Sequence, residues 1–143
     1  MTDITRLLLE ARRSLASELD ADLAERGYPD LRPGHVVLFL SVDRRSGSRL
    51  TDLAEHTRLT KQAMMSMVDD LEARGYVRRV PDPADARAKL VRLTAAGRRA
   101  AAECRRAVQS LEQCTRRELG DRSYEAMREA LELLAEPSEP SDD

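Results

Sequence analysis

The sequence has no tryptophan, one phenylalanine and three tyrosines, so leucine, alanine, valine and methionine must fill the interior, a composition that favours helices. It has two histidines, His35 and His56. They fall in separate helical segments with no neighbouring cysteine or patterned carboxylates, and the chain lacks a glycine-rich phosphate loop and a nucleophile motif. These absences argue against an enzyme and imply no catalytic residue, cofactor or metal. The two cysteines, Cys104 and Cys114, are ten positions apart in one expected helix, so their α-carbons stand about 15 Å apart. That separation excludes an intrachain disulfide, and without a CxxC or Cys/His cluster no zinc site follows. Both are read as plain buried or half-buried small residues, with a redox-sensing or intersubunit role as the alternative. No run approaches the ~20 apolar residues needed to span a bilayer. The start at Thr2 and Asp3 lacks the basic-then-apolar pattern of a signal peptide, so a cytoplasmic location and no membrane partner are expected.

What the chain does have is charge. Of its 143 residues 41% are hydrophobic and 35% charged, the balance of one globular folding unit. The formal net charge is -2, yet Arg74 to Arg99 holds eight basic and two acidic residues, a local +6 that leaves -8 for the rest. A basic face on an acidic body suits phosphate contact while limiting non-specific adhesion.

Periodicity then orders the chain. Ile4, Leu8, Leu15, Leu19 and Leu23 return to one helical face, and Gly27 and Pro29 end that helix. A second helix starts at Pro33, whose fixed φ suits a first helical position, and runs through Val36 to Leu40. It is apolar on most sides and is expected to be the buried central helix; Arg44 to Ser48 break the pattern. Leu50, Leu53 and Ala54 mark a short helix, and Met64, Met67, Val68 and Leu71 mark another at i, i+3, i+4 and i+7. Between them lies a turn of Thr57, Arg58 and Leu59, with Thr60 as N-cap of the following helix. Two helices joined so tightly form a helix-turn-helix.

After Gly75 the pattern turns extended. Tyr76–Val80 and Lys89–Leu93 read as two strands linked by residues 81–88, a β-hairpin with a protruding tip. Thr94 caps a long helix from about Ala95 to Leu119, and Asp121 opens a last one ending near Ala135. The fold class expected is therefore mainly α with a small β-hairpin wing, a winged helix-turn-helix. Residues 1–136 form a single domain in this reading, with residues 31–94 as the winged segment and residues 1–30 and 95–136 as dimerisation helices. Residues 137–143 are rich in Pro, Ser, Glu and Asp and are expected to be a disordered acidic tail.

With Met64, Met67, Val68 and Leu71 facing inward, Lys61, Gln62, Met65 and Ser66 lie outward near the N-terminal end of their helix. Gln can bond an adenine edge twice, Lys can reach guanine or phosphate, Ser can bond either, and Met65 can touch a thymine methyl. The helix start at Thr60 offers N–H groups to a phosphate. Arg87, at the hairpin, is a cation that can enter a minor groove, with Lys89 nearby. Asp85 either holds the hairpin or orients the Arg87 guanidinium. Asp69 and Asp70 would repel phosphates and are expected to point away. The partner so defined is double-stranded DNA, and Arg87, Lys89 and Arg92 argue against the alternative, a winged-helix module for protein contacts without DNA binding.

Three runs, Leu59-Thr60-Lys61-Gln62-Ala63-Met64, Leu71-Glu72-Ala73-Arg74-Gly75-Tyr76-Val77, and Pro81 to Thr94 with Asp85 and Arg87, resemble the MarR (multiple antibiotic resistance) regulators. The resemblance covers Leu50 to Gly97 in motif and nearly the whole chain in helix order. It implies a homodimeric winged-helix transcription factor, usually a repressor, whose terminal helices interlock. A small apolar or aromatic effector between dimerisation and DNA-binding regions is a further family expectation. By the same resemblance Asp85 and Arg87 match the wing pair, and Thr60 to Ser66 the DNA-reading part of the recognition helix. Ala86 and Ser66 depart from it, standing where members often carry polar or basic residues, which removes phosphate contacts. Both cysteines lie after the wing, unlike the amino-terminal thiol of the peroxide-sensing branch.

Dimerisation also has a warrant in the residues. The apolar stripes Ile4, Leu8, Leu15, Leu19, then Val108, Leu111, Leu119, then Met127, Ala130, Leu131, Leu134 exceed what a small wing domain needs. A two-fold partner would cover them and set two recognition helices about 34 Å apart, predicting a pseudo-palindromic operator.

Overall fold

Asp3 takes an extended conformation and accepts the Arg6 N–H at 2.9 Å, satisfying one of the orphan donors at the start of a helix. The computed structural model describes residues 3–136, and the acidic tail expected at residues 137–143 lies outside them. From that cap the order is α1 (Ile4–Glu25), α2 (Pro33–Ser41), β1 (Ser48–Arg49), α3 (Leu50–Thr57), α4 (Lys61–Ala73), β2 (Val77–Asp82), β3 (Asp85–Leu93), α5 (Ala95–Leu119) and α6 (Asp121–Ala135). Two compact units divide between Val108 and Gln109. No helix among the described residues is long and apolar enough to cross a membrane.

The first unit holds the winged helix-turn-helix. Its core is Leu23, Leu31, Leu38, Phe39, Leu53, Met64, Val68, Leu71, Val77, Val91 and Cys104, all essentially without solvent contact. The scarce aromatics are concentrated here. Tyr76 meets Phe39 edge-on at 5.7 Å between centroids and Tyr28 at 6.3 Å, fastening the hairpin base to α2 with a geometry that aromatic quadrupoles favour. Thr94 fixes the start of α5 there: its hydroxyl accepts the Gly97 N–H at 3.0 Å and donates to the Gly75 carbonyl at 2.6 Å. Gly97 packs so closely that a Cβ would stand 1.9 Å from the Tyr76 carbonyl oxygen.

Several sequence expectations need correction. The α2 helix is not buried on most sides, since Val37 and Leu40 are 46% and 40% exposed while Val36, Leu38 and Phe39 are buried. A helix apolar all round carries no pattern to show which face meets the core. The break expected at 44–48 ends in β1, which joins a three-stranded antiparallel sheet of order β1-β3-β2 through Ser48↔Val91 and Arg49↔Leu90. The strands also run further toward the tip than residues 81–88 suggested, leaving only Pro83 and Ala84 between them. Pro81 is tolerated because β2 is an edge strand, where a missing N–H costs little. Asp82 accepts the Ala84 N–H at 2.9 Å and closes the turn, with an irregularity at Pro81/Asp82.

The thiols divide as well: Cys104 is buried and Cys114 exposed, which corrects the expectation that both are covered. Burial pushes the Cys104 thiol up to about 11. Native protein at about pH 8, near the ordinary thiol pKa, should therefore show one fast thiol per chain toward a disulfide reagent. Cys114→Ala should abolish that phase and Cys104→Ala leave it intact; two fast thiols would refute the assignment.

In the second unit Arg116 donates to Asp121 at 3.2 Å, pairs with Glu125, and lies 4.4 Å from the centre of the Tyr124 ring. These contacts close the turn at Gly120 between α5 and α6, and Tyr124 is buried. Leu131, Leu133 and Leu134 of α6 remain 45%, 71% and 74% exposed.

Candidate nucleic-acid interface

The site is assembled on α4 because one face of that helix is committed to the core. Met64, Val68 and Leu71 are fully buried and Met67 half-buried, one apolar stripe at helical spacing. Thr60, extended at φ -64° and ψ 152°, caps the helix by accepting the Ala63 N–H at 3.1 Å. Lys61, Gln62, Met65 and Ser66 are then all exposed on the first two turns. Before Thr60 the chain turns at Arg58, which sits in the left-handed region at φ 58° and is the one non-glycine residue with positive φ among the described residues. Such a conformation is uncommon outside glycine and gives the helix-turn-helix its sharp corner, a demand that the Arg58 side chain did not disclose.

The wing stands beside this helix. Arg87 and Lys89 are exposed on β3, and neither has a carboxylate partner among the described residues. Asp85 accepts the backbone N–H of Arg87 at 3.0 Å. Of the two roles read for it, this contact is the one that holds the hairpin. The guanidinium clasp belongs to Asp82, which the sequence reading passed over: it is 7% exposed and takes Arg49 at 2.6 and 2.8 Å. The Ala84 N–H and then the Arg49 guanidinium hold its carboxyl below the usual carboxylate range. The pair ties β1 to the base of the wing tip.

The carboxylates of α4 are neutralised rather than merely averted. Asp69 pairs with Arg79 at 2.6 Å, and Glu72 pairs with the same guanidinium at 2.8 Å while also accepting the Arg79 N–H at 2.9 Å. Asp70 meets Arg74 and His35, each at 3.1 Å. The His35 ring has one assignment consistent with its partners. Its Nδ1 accepts the Arg32 N–H at 3.0 Å, so Nε2 carries the proton that points at Asp70. Arg74 and Arg79 are thus withdrawn from the basic set counted in the sequence. Arg78, Arg87, Lys89, Arg98 and Arg99 remain exposed.

An exposed, capped helix behind a tight turn, followed by a cationic hairpin, defines the class as winged helix-turn-helix. The fold is also that of solved structures. CouR from Rhodococcus jostii RHA1, bound to p-coumaroyl-CoA, is 26% identical with a TM-score of 0.79 over 96% of this chain and 94% of that one. A probable transcriptional regulator from Pseudomonas aeruginosa is 23% identical at TM-score 0.81, over 92% and 96%. S. aureus MepR in a DNA complex is 18% identical at TM-score 0.81, over 94% and 97%. No curated protein matches the chain in sequence. Residues 30–88, from the approach to α2 through most of the wing, match the MarR family.

Proposed function

We propose that this protein is a sequence-specific double-stranded DNA-binding transcriptional regulator rather than an enzyme, a repressor that binds a pseudo-palindromic operator as a homodimer. The carrying observation is the exposure of Lys61, Gln62, Met65 and Ser66 on the capped start of α4, beside a wing that displays Arg87 and Lys89. The first set matches the major-groove donor and acceptor code, and the second suits phosphates and a narrow minor groove. The CouR repressor has been solved on a 23-mer DNA duplex and MepR on DNA, which supports the same use of this fold here.

The homodimer is supported by apolar surface that one chain leaves open. Ile4, Leu7, Leu8 and Leu9 of α1 are 44–69% exposed, and Leu119, Leu131, Leu133 and Leu134 are 43–74% exposed. Residues 1–30 and 95–136 act as dimerisation helices in this reading, around a winged segment at residues 31–94. Release by a small-molecule effector, read from the sequence as apolar or aromatic, is supported in its aromatic form by CouR, which has been solved with a ligand carrying an aromatic acyl group, p-coumaroyl-CoA. Regulation of this kind places the protein in the cytoplasm, beside its DNA.

Selection of bound fragments from the source genome, followed by footprinting, tests the function. The expected result is a protected inverted repeat with half-sites about one helical turn apart. Equal retention of random fragments would remove sequence-specific regulation. Light scattering at micromolar concentration should give twice the chain mass, and a monomer would sink the symmetric operator.

A further inference from the structure

The fork made by Arg79 joins the two DNA-reading elements and nothing else. Its guanidinium leaves β2 and reaches Asp69 at 2.6 Å and Glu72 at 2.8 Å, one helical turn apart on α4, while Glu72 also accepts the Arg79 N–H. The Arg79 side chain is 23% exposed against 64% for Asp69 and 40% for Glu72. A planar guanidinium holding two carboxylates, with a backbone bond beside it, constrains direction as well as distance. Arg79 pairs with Val91 across the hairpin, so whatever fixes Arg79 fixes the strand that carries Arg87 and Lys89.

We infer that Arg79 is a positioning residue: by clamping β2 to the second half of α4, it sets the wing at the angle from which Arg87 can enter a groove while α4 occupies its own. The inference rests on the DNA-binding reading and adds a role for three residues outside the DNA-reading set. It also opposes the simplest electrostatic expectation. Asp69 and Glu72 carry negative charge on the recognition helix, so removing them should tighten binding if they acted only through the field. As anchors of the wing, their removal should weaken it.

The test uses the full chain and the operator recovered by fragment selection. The Asp69→Ala/Glu72→Met variant deletes both acceptors while keeping strong helix formers in α4. It should bind about tenfold more weakly than wild type, a factor equal to about 1.4 kcal/mol. In an Arg87→Ala/Lys89→Ala background the same pair of substitutions should bring no further weakening, because the wing no longer contributes. Equal or tighter binding in the wild-type background would overturn the inference. So would an equal loss in both backgrounds, which would place the effect in α4 alone. If the wild type retains no fragment, the DNA-binding function falls and the clamp is judged on free protein by residual dipolar couplings. Strand couplings in the variant that no longer fit the orientation of α4 would support it, and couplings unchanged from wild type would overturn it.

Discussion

Gly97→Ala should destabilise the folded protein by about 3 kcal/mol or more, at or beyond the upper end of ordinary overpacking. The added Cβ would stand 1.9 Å from the Tyr76 carbonyl oxygen and 2.9 Å from its carbon, and both are backbone atoms that no rotamer change can move aside. That carbonyl also accepts the Thr94 N–H at 3.0 Å, so retreat would loosen the junction of hairpin and long helix. Tyr76 packs edge-on against Phe39, and the disturbance would pass into the core. Urea unfolding at fixed protein concentration measures the effect, and an unchanged midpoint would refute it. Ala96→Gly, one position away and half-buried, should cost only the ~1 kcal/mol of a glycine in a helix.

Arg87→Ala carries the largest expected effect on function. The side chain is exposed and its backbone N–H is held by Asp85 at 3.0 Å, so truncation removes a cation without unfolding the hairpin. Binding should weaken across all operator sequences, with the slope of log K against log salt falling by about 1. Gln62→Ala should behave differently, relaxing preference at particular base pairs by about 1–3 kcal/mol of discrimination. The contrast separates a groove cation from a base reader. Equal binding by wild type and Arg87→Ala at several salt concentrations would take the wing out of the mechanism.

The parts of this site that were legible in the sequence are those set by neighbours a few positions away. Met64, Val68 and Leu71 declare a buried face by their spacing, and Thr60 declares a cap by its hydroxyl. Together they fix which residues of α4 are left outward. The unread parts are pairings across long stretches of chain. Arg49 finds Asp82 across 33 positions, and β1 is two residues long with its partners more than forty positions away. No local pattern announces either. The hairpin runs further toward its tip than a link of residues 81–88 implies, and on β2 the edge position tolerates the donor that Pro81 lacks. The exposure of Val37 and Leu40 was hidden by an apolar run with no polar face. The basic count was sound as arithmetic, but it could not show that Arg74 and Arg79 are already committed to carboxylates.

The bond from the Arg79 N–H to Glu72 has a consequence at the open border of the sheet. An edge strand with unpaired N–H groups is a template on which a neighbouring molecule can lay its own strand. Here the Arg79 donor is occupied by a carboxylate from α4, and Pro81, two residues on, has no N–H to offer. Two positions of a six-residue edge are thereby denied to an incoming strand.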